Sequence, residues 1–196
     1  LAVQIVDDTL YLKLVFFGTA LAGKTTILEW LFDNAIPDQM KLTDEIRQLK
    51  TSFGQTLLFD FVPIRFSENA VVRIYTSTGQ DYYAGTRSKL LNDTDGIFLV
   101  VDSQREQLEH NRELLHELKR YFEEIEGLAE TEIVVLVNKQ DLEEIYPVDY
   151  LKERLGINGW PCVSTCALTG ENLMQSLVLM LKRLASKLQA KGIELI

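Results

Sequence analysis

Gly18-Thr19-Ala20-Leu21-Ala22-Gly23-Lys24-Thr25 has the spacing G-x-x-x-x-G-K-T. The apolar stretch before it, Leu12-Lys13-Leu14-Val15-Phe16-Phe17, reads as a buried strand. The stretch after it, Thr26-Ile27-Leu28-Glu29-Trp30-Leu31-Phe32, has helical spacing. Strand, glycine-bounded loop and helix form the context a phosphate-binding loop needs. The backbone N–H groups of such a loop converge on an anion, and the following helix presents its positive end to it. In this reading Lys24 reaches the β- and γ-phosphates and the Thr25 hydroxyl holds Mg²⁺.

Outward from the loop, strand-like and helix-like segments alternate, the pattern of an α/β fold. Strands are expected at Tyr11–Phe17, Thr56–Phe66, Ala70–Thr76, Gly96–Asp102, Glu132–Asn138 and Pro161–Thr165. Helices are expected at Lys24–Phe32, Tyr82–Leu91, Gln107–Glu126, Val148–Leu155 and Asn172–Lys191. Ile97-Phe98-Leu99-Val100-Val101 and Ile133-Val134-Val135-Leu136-Val137 are unbroken apolar runs, suited to central parallel strands covered on both faces. Only Ser67-Glu68-Asn69 separates the second and third strands, a hairpin-length link. The expected fold is therefore a mostly parallel six-stranded sheet with one antiparallel edge strand and helices on both faces. The polar connection Asn34–Gln55 shows no clear strand, and loops of that length are usually functional. In the last helix Leu173, Leu177, Leu181 and Leu184 form one stripe, read as core packing.

With 196 residues, 46% of them hydrophobic and 25% charged, the chain has the composition of an ordinary globular domain. The formal charge of −9 argues against binding nucleic acid or anionic lipid, which needs clustered Lys and Arg. The acidic group Glu123, Glu124, Glu126, Glu130 and Glu132 reads as a solvated helix end and loop. Cys162 and Cys166 are too few for a disulfide framework, and a cytoplasmic location is expected. They read as core or loop thiols, with His110 and His116 elsewhere on a helix. No apolar run approaches the length of a membrane span, and Lys191–Ile196 holds no prenylation cysteine.

A second motif, Asn138-Lys139-Gln140-Asp141, follows a central strand directly. Guanine offers an N1–H and N2–H₂ donor pair that the Asp141 carboxylate can accept. Adenine presents a different edge and leaves that carboxylate unpaired. Asn138 can tie this loop to the phosphate loop, and the Lys139 stem can lie along the base. Ser164-Thr165-Cys166-Ala167 closes the last strand, where the backbone around Cys166 and Ala167 can donate to guanine O6. Loop and tetrapeptide together favour GTP over ATP and leave a P-loop ATPase or kinase poorly supported.

With these residues the chain resembles a Ras-like small GTPase over nearly its whole length. Within that superfamily it is most similar to the prokaryotic MglA group. Thr56-Leu57-Leu58-Phe59-Asp60-Phe61-Val62-Pro63, Thr76-Ser77-Thr78-Gly79-Gln80, Tyr83-Ala84-Gly85-Thr86-Arg87 and Val101-Asp102-Ser103-Gln104 carry the likeness. The NKQD and TCA forms are also like those of Arf GTPases. The resemblance implies a single G domain over residues 1–196, with switch I at about 34–56 and switch II at about 77–92. It implies that Gly18, Ala20, Leu21, Ala22, Gly23, Lys24, Thr25 and Thr26 hold the phosphates, with Mg²⁺ on Thr25 and Thr56. Gly79 senses the γ-phosphate, and Gln80 orients the attacking water, with Lys24 and Thr56 completing the catalytic set. A Roadblock-fold protein like MglB is the implied activator or exchange partner, and strand sliding in Thr56–Phe66 the implied switching motion.

Three departures from the pattern matter. Thr76 stands where most small GTPases have an Asp that holds a Mg²⁺-bound water, and Asp60 is the candidate substitute. A carboxylate in an otherwise apolar run is costly unless partnered, so Asp60 is either a metal-site residue or half of a structural salt bridge. Gln55 stands where the MglA group often has Arg, with Arg47 the cation in the same segment; an arginine finger is worth about 10³–10⁵ in rate. Ala20 replaces a common Gly beside the γ-phosphate. Two readings stay open: a slowly hydrolysing GTPase switch, or a GTP-binding scaffold that acts through a Roadblock-type partner. Cell polarity and motility enter only through the resemblance.

Overall fold

A computed structural model describes residues 4–49, 59–77 and 84–193. The long run Thr9–Gly18 (β2) is the centre of the sheet. Its even-numbered side chains, Leu10, Leu12, Leu14 and Phe16, enter one core, while Val15 and Phe17 enter a second on the opposite face. That period of two, with the second half of the strand wholly apolar and buried, is what a sheet covered on both sides requires.

The other strands are Gln4–Val6 (β1), Arg47–Leu49 (β3), Phe59–Ser67 (β4), Ala70–Thr76 (β5), Gly96–Asp102 (β6), Glu132–Asn138 (β7) and Cys162–Ser164 (β8). They form an eight-stranded sheet in the order β3-β4-β5-β2-β6-β7-β8, with β1 paired to β2. β5, β2, β6, β7 and β8 run parallel, and β4 is antiparallel to β5. The parallel centre and antiparallel flank are as the sequence implies, but the sheet is wider. β3 lies in the connection that showed no strand pattern, and it makes β4 an inner rather than an edge strand. A three-residue polar strand has no alternation to reveal it; its pairing to Phe59, Asp60 and Phe61 defines it.

The helices are Lys24–Trp30 (α1), Ala84–Leu91 (α2), Leu108–Glu124 (α3), Val148–Leu155 (α4) and Leu173–Ala190 (α5). α1 and α5 cover one face of the sheet; α2, α3 and α4 cover the other. The first helix ends sooner than its spacing implies, because Leu31–Ala35 winds as a wider π turn. Leu173, Leu177 and Leu184 of the α5 stripe are buried against the sheet, and Leu181 is partly buried. Cys162 and Cys166 are free thiols. Among the described residues no helix is long and apolar enough to cross a membrane.

Candidate nucleotide site

β2, β6 and β7 end at the same edge of the sheet, and the loops that follow them meet there. After β2 the chain turns through Leu21 (φ 61°) and Gly23 (φ 99°) into α1. Alternating left-handed residues of this kind turn successive N–H groups inward. Leu21 adopts this backbone with its side chain 89% exposed, so burial of that side chain does not compensate the strain. No side chain caps α1, and its first turn holds no acidic residue, so its positive end is left open to an anion. A Cβ on Gly23 would fall 2.4 Å from Asn138 Nδ2, so only glycine admits the neighbouring loop this closely.

Lys24 is buried, and its ammonium donates to the carbonyls of Gly18 (2.9 Å) and Thr19 (2.6 Å). An ammonium has three N–H donors, so one remains for a phosphate. Burial, then the positive charge of Arg87, lower the Lys24 pKa to about 8 against the opposing pull of Asp60.

Asp60, on β4, comes to the first turn of α1. The Thr25 hydroxyl donates to Asp60 Oδ2 at 2.7 Å and the Thr76 hydroxyl at 3.0 Å, while Asp60 N donates back to Thr76 Oγ1 at 3.2 Å. Among the described residues no salt bridge reaches Asp60; threonine hydroxyls satisfy the carboxylate instead. A hydroxyl that gives its proton to a carboxylate keeps its lone pairs free for a cation. Thr25 and Asp60 thus offer the hard oxygen donors that suit Mg²⁺.

The base side is built on β7. Asn138 Nδ2 donates to the Ala22 carbonyl at 2.9 Å, and Asn138 Oδ1 accepts from Ala167 N (3.0 Å) and Thr165 Oγ1 (3.3 Å). One buried amide therefore joins the phosphate loop, the NKQD loop and the TCA loop. Lys139, in the left-handed region at φ 68°, places Nζ 2.6 Å from the buried Asp102 carboxylate and donates to Gln104 Oε1 at 2.8 Å. Asp141 is exposed, and no described residue pairs with its carboxylate. The Cys166 N–H makes a long bond to the Glu171 carbonyl, so the TCA backbone donors already have internal partners.

Three residues of the site had no role assigned from sequence. Asp102 and Gln104 hold the Lys139 head, and Arg87 lies close enough to act on Lys24 electrostatically. Arg87 is itself held by Glu117 through Nε (3.1 Å) and a second nitrogen (2.9 Å). It lines a cleft of about 460 Å³ between the phosphate loop and α3, shared with Ala20, Leu21, His110 and Lys139. Asp102 and Gln104 sit in the D-S-Q run and Arg87 closes the run from Tyr83, and these two stretches, which carried the family likeness, were the available signal. Thr26 is half-buried at the start of α1. Thr56, Gly79 and Gln80 lie outside the described residues, as does Gln55.

The model of the ADP-ribosylation factor family matches residues 3–184. The chain belongs to that family. This Arf-family chain, a Ras-like small GTPase, is 29% identical over 185 residues to the mutual gliding-motility protein MglA of Myxococcus xanthus, covering 92% of this chain and 93% of that protein. It is 25% identical over 179 residues to ADP-ribosylation factor-like protein 5A of Rattus norvegicus, covering 88% and 89% of the two chains. The human protein of that name matches to the same extent. Family membership and the loop architecture agree on a GTP-binding switch protein.

Proposed function

We propose that this small GTPase binds GTP and GDP with Mg²⁺ between the Gly18–Thr26 loop and the NKQD and TCA loops, and slowly hydrolyses GTP to GDP. The observation that carries this reading is the Asn138 amide. It bonds the phosphate loop to the base-recognition loop, so one ligand with a phosphate tail and a guanine head spans both. Asp141 accepts the guanine N1–H and N2–H₂ pair, and Lys139 lies along the base. Guanine O6 takes a share of the Ala167 N–H beside Asn138 Oδ1. Lys24 and the backbone of Gly18, Ala20, Leu21, Ala22 and Gly23 hold the phosphates. Thr25 and Thr56 bind Mg²⁺, with Asp60 taking the place of the Asp missing at Thr76. Mg²⁺ there neutralises charge on the β- and γ-phosphates.

Gly79 reads the γ-phosphate and Gln80 orients water, within switches at about 34–56 and 77–92. The break in β4–β5 register between Arg65 and Ser67 is where a slip of β4 is absorbed when the switch changes state. Hydrolysis is slow because Gln55 supplies no cation. A cytoplasmic, MglA-like role in prokaryotic polarity or motility, with a Roadblock-type activator or exchange partner, follows from the likeness to MglA.

One observation favours the second reading, a scaffold that hardly turns over. The guanidinium whose charge reaches Lys24 is tied to Glu117 on α3 rather than free to serve a phosphate. Single-turnover GTP hydrolysis, with Gln80→Ala alongside, separates the two. GDP formation lost in the variant supports the switch. Bound GTP that persists for hours in both proteins supports the scaffold.

A further inference from the structure

Gly170 is buried in the loop between β8 and α5, and the space a side chain would take there is filled by Trp30. A Cβ on Gly170 would fall 1.9 Å from both Cε2 and Cζ2 of Trp30, and 2.5 Å from its Nε1. The indole therefore lies directly on the glycine's α-carbon. The backbone at Gly170 is also left-handed, at φ 79°, so any larger residue meets both strain and the ring. Trp30 is the last residue of α1, the helix that begins with Lys24 and Thr25. Core packing alone does not ask for tryptophan at this place. Ile27, Leu28 and Leu31 already fill the core beneath α1 and are wholly buried, whereas Trp30 is half-buried.

Gly170 leads straight to a group placed at the base site. Its N–H donates to the Cys166 carbonyl at 2.9 Å. That carbonyl and the Ala167 N–H belong to one peptide unit. The unit is planar, so holding one end sets the direction of the other. Ala167 N donates to Asn138 Oδ1 at 3.0 Å, and Ala167 shares the core against which Trp30 packs. A bond accepted by the carbonyl also polarises the peptide and strengthens its N–H as a donor. The far end of the loop is pinned separately, by Asn172 Nδ2 donating to the Ser164 carbonyl at 2.9 Å.

We propose that Trp30 is a positioning residue for guanine selection. Through Gly170 it sets the tilt of the Cys166–Ala167 peptide, and so the aim of the Ala167 N–H at guanine O6. The inference rests on the O6 contact proposed above. It gives the phosphate-loop helix a second tie to the base loops, independent of Asn138. Asp141 reads the N1–H and N2–H₂ groups from another loop, so Trp30 governs one edge contact of the base and not the other.

The test uses the full chain with Mg²⁺ and ranks GDP against two analogues by competition with fluorescent GDP. 6-Thio-GDP replaces O6 with sulfur, a weak acceptor, and inosine diphosphate lacks only the N2 amine. The unaltered protein is expected to favour GDP over 6-thio-GDP by about three- to tenfold, the worth of one hydrogen bond, and to favour it over inosine diphosphate as well. Trp30→Ala is expected to remove most of the first preference, leave the second unchanged, and speed GDP release by a similar factor. Gly170→Ala, which drives a methyl into the indole, is expected to do the same. Trp30→Phe, whose ring can lie on the same glycine, is expected to keep both preferences. Leu188→Ala, in the same core but on α5, controls for lost stability, with thermal melting of every variant. A Trp30→Ala protein that keeps the full preference over 6-thio-GDP overturns the proposal, whatever its melting temperature. So does a loss of both preferences together, or a loss that Leu188→Ala shares, since either marks general loosening. An unaltered protein that discriminates against inosine diphosphate but not 6-thio-GDP overturns the proposal while the guanine site stands. One that favours GDP over neither analogue rejects the guanine site, and the proposal with it.

Discussion

Lys24, proposed above to hold the phosphates, is loaded against its own charge. Burial and Arg87 hold its pKa down to about 8, while phosphates placed beside it raise it again. Below pH 8 the ammonium is charged before and after binding, so no proton moves. Between pH 8 and roughly 10 the free side chain is largely neutral and the bound one charged, so binding takes up close to one proton. Nucleotide affinity should then fall as pH rises through that window, by up to about tenfold per unit. Calorimetry of GDP binding at pH 9, in buffers of different ionisation enthalpy, reads the uptake; heats independent of buffer contradict it. Asp60 carries a second prediction. If it supports the metal through Thr25, Asp60→Asn weakens Mg²⁺ binding by about 10–100-fold, in line with outer-shell partners elsewhere. Labelled GDP should leave the variant quickly with or without EDTA, whereas the unaltered protein releases it quickly only with EDTA. A variant that keeps the full EDTA response rules the role out. The tie of Asn138 to the phosphate loop was legible from the motif's place at a strand end. Asp60 was legible as an anomaly, a carboxylate in an apolar run. Its partners were not, because Thr25 comes to it from the first turn of α1 and Thr76 from the neighbouring strand, and no linear pattern encodes that pairing.

Strands and helices with strong periodicity could be read directly, and those set by pairing or by the neighbouring loop could not. β6, β7 and α4 keep the limits their sequence implies, being long apolar runs or a short amphipathic turn closed by Gly156 at φ 66°. β3 and β1 are three residues each and exist through their partners. The parallel contact of β2 with β6 places Gly96 against Leu14, and α5 packs above it. A Cβ at Gly96 would come within 2.7 Å of both Leu14 Cδ2 and Met180 Sδ. Gly96→Ala should therefore destabilise the protein by about 1–3 kcal/mol through overpacking, measured by urea unfolding. An unchanged midpoint would mean the α5 contact yields. Between the loops, Asn138→Ala removes the amide that joins three segments and leaves the Ala22 carbonyl and Ala167 N–H without it. About 1–3 kcal/mol of stability is expected to go for each buried polar group so orphaned. GDP affinity should drop with it, and a variant that loses stability but not GDP affinity contradicts the bridging role.

At the scale of the molecule, two cores on opposite sheet faces hold one edge at which three loops meet, and the Arf-family match covers nearly all of this architecture. Ligand that binds only the folded chain stabilises it: nucleotide at 100 times its dissociation constant adds about 2.7 kcal/mol. For a chain of this size that is a rise of about 5–10 °C in melting temperature, expected with GDP and Mg²⁺ and not with ATP. The central claim is that the joined phosphate and base loops select guanine. The most direct measurement is displacement of fluorescent GDP by GTP and by ATP, in the unaltered protein and in Asp141→Ala. The account predicts displacement by GTP and not by ATP, with the GDP affinity itself falling sharply in the variant. Equal displacement by both nucleotides, or fluorescent GDP held as tightly by Asp141→Ala, contradicts it.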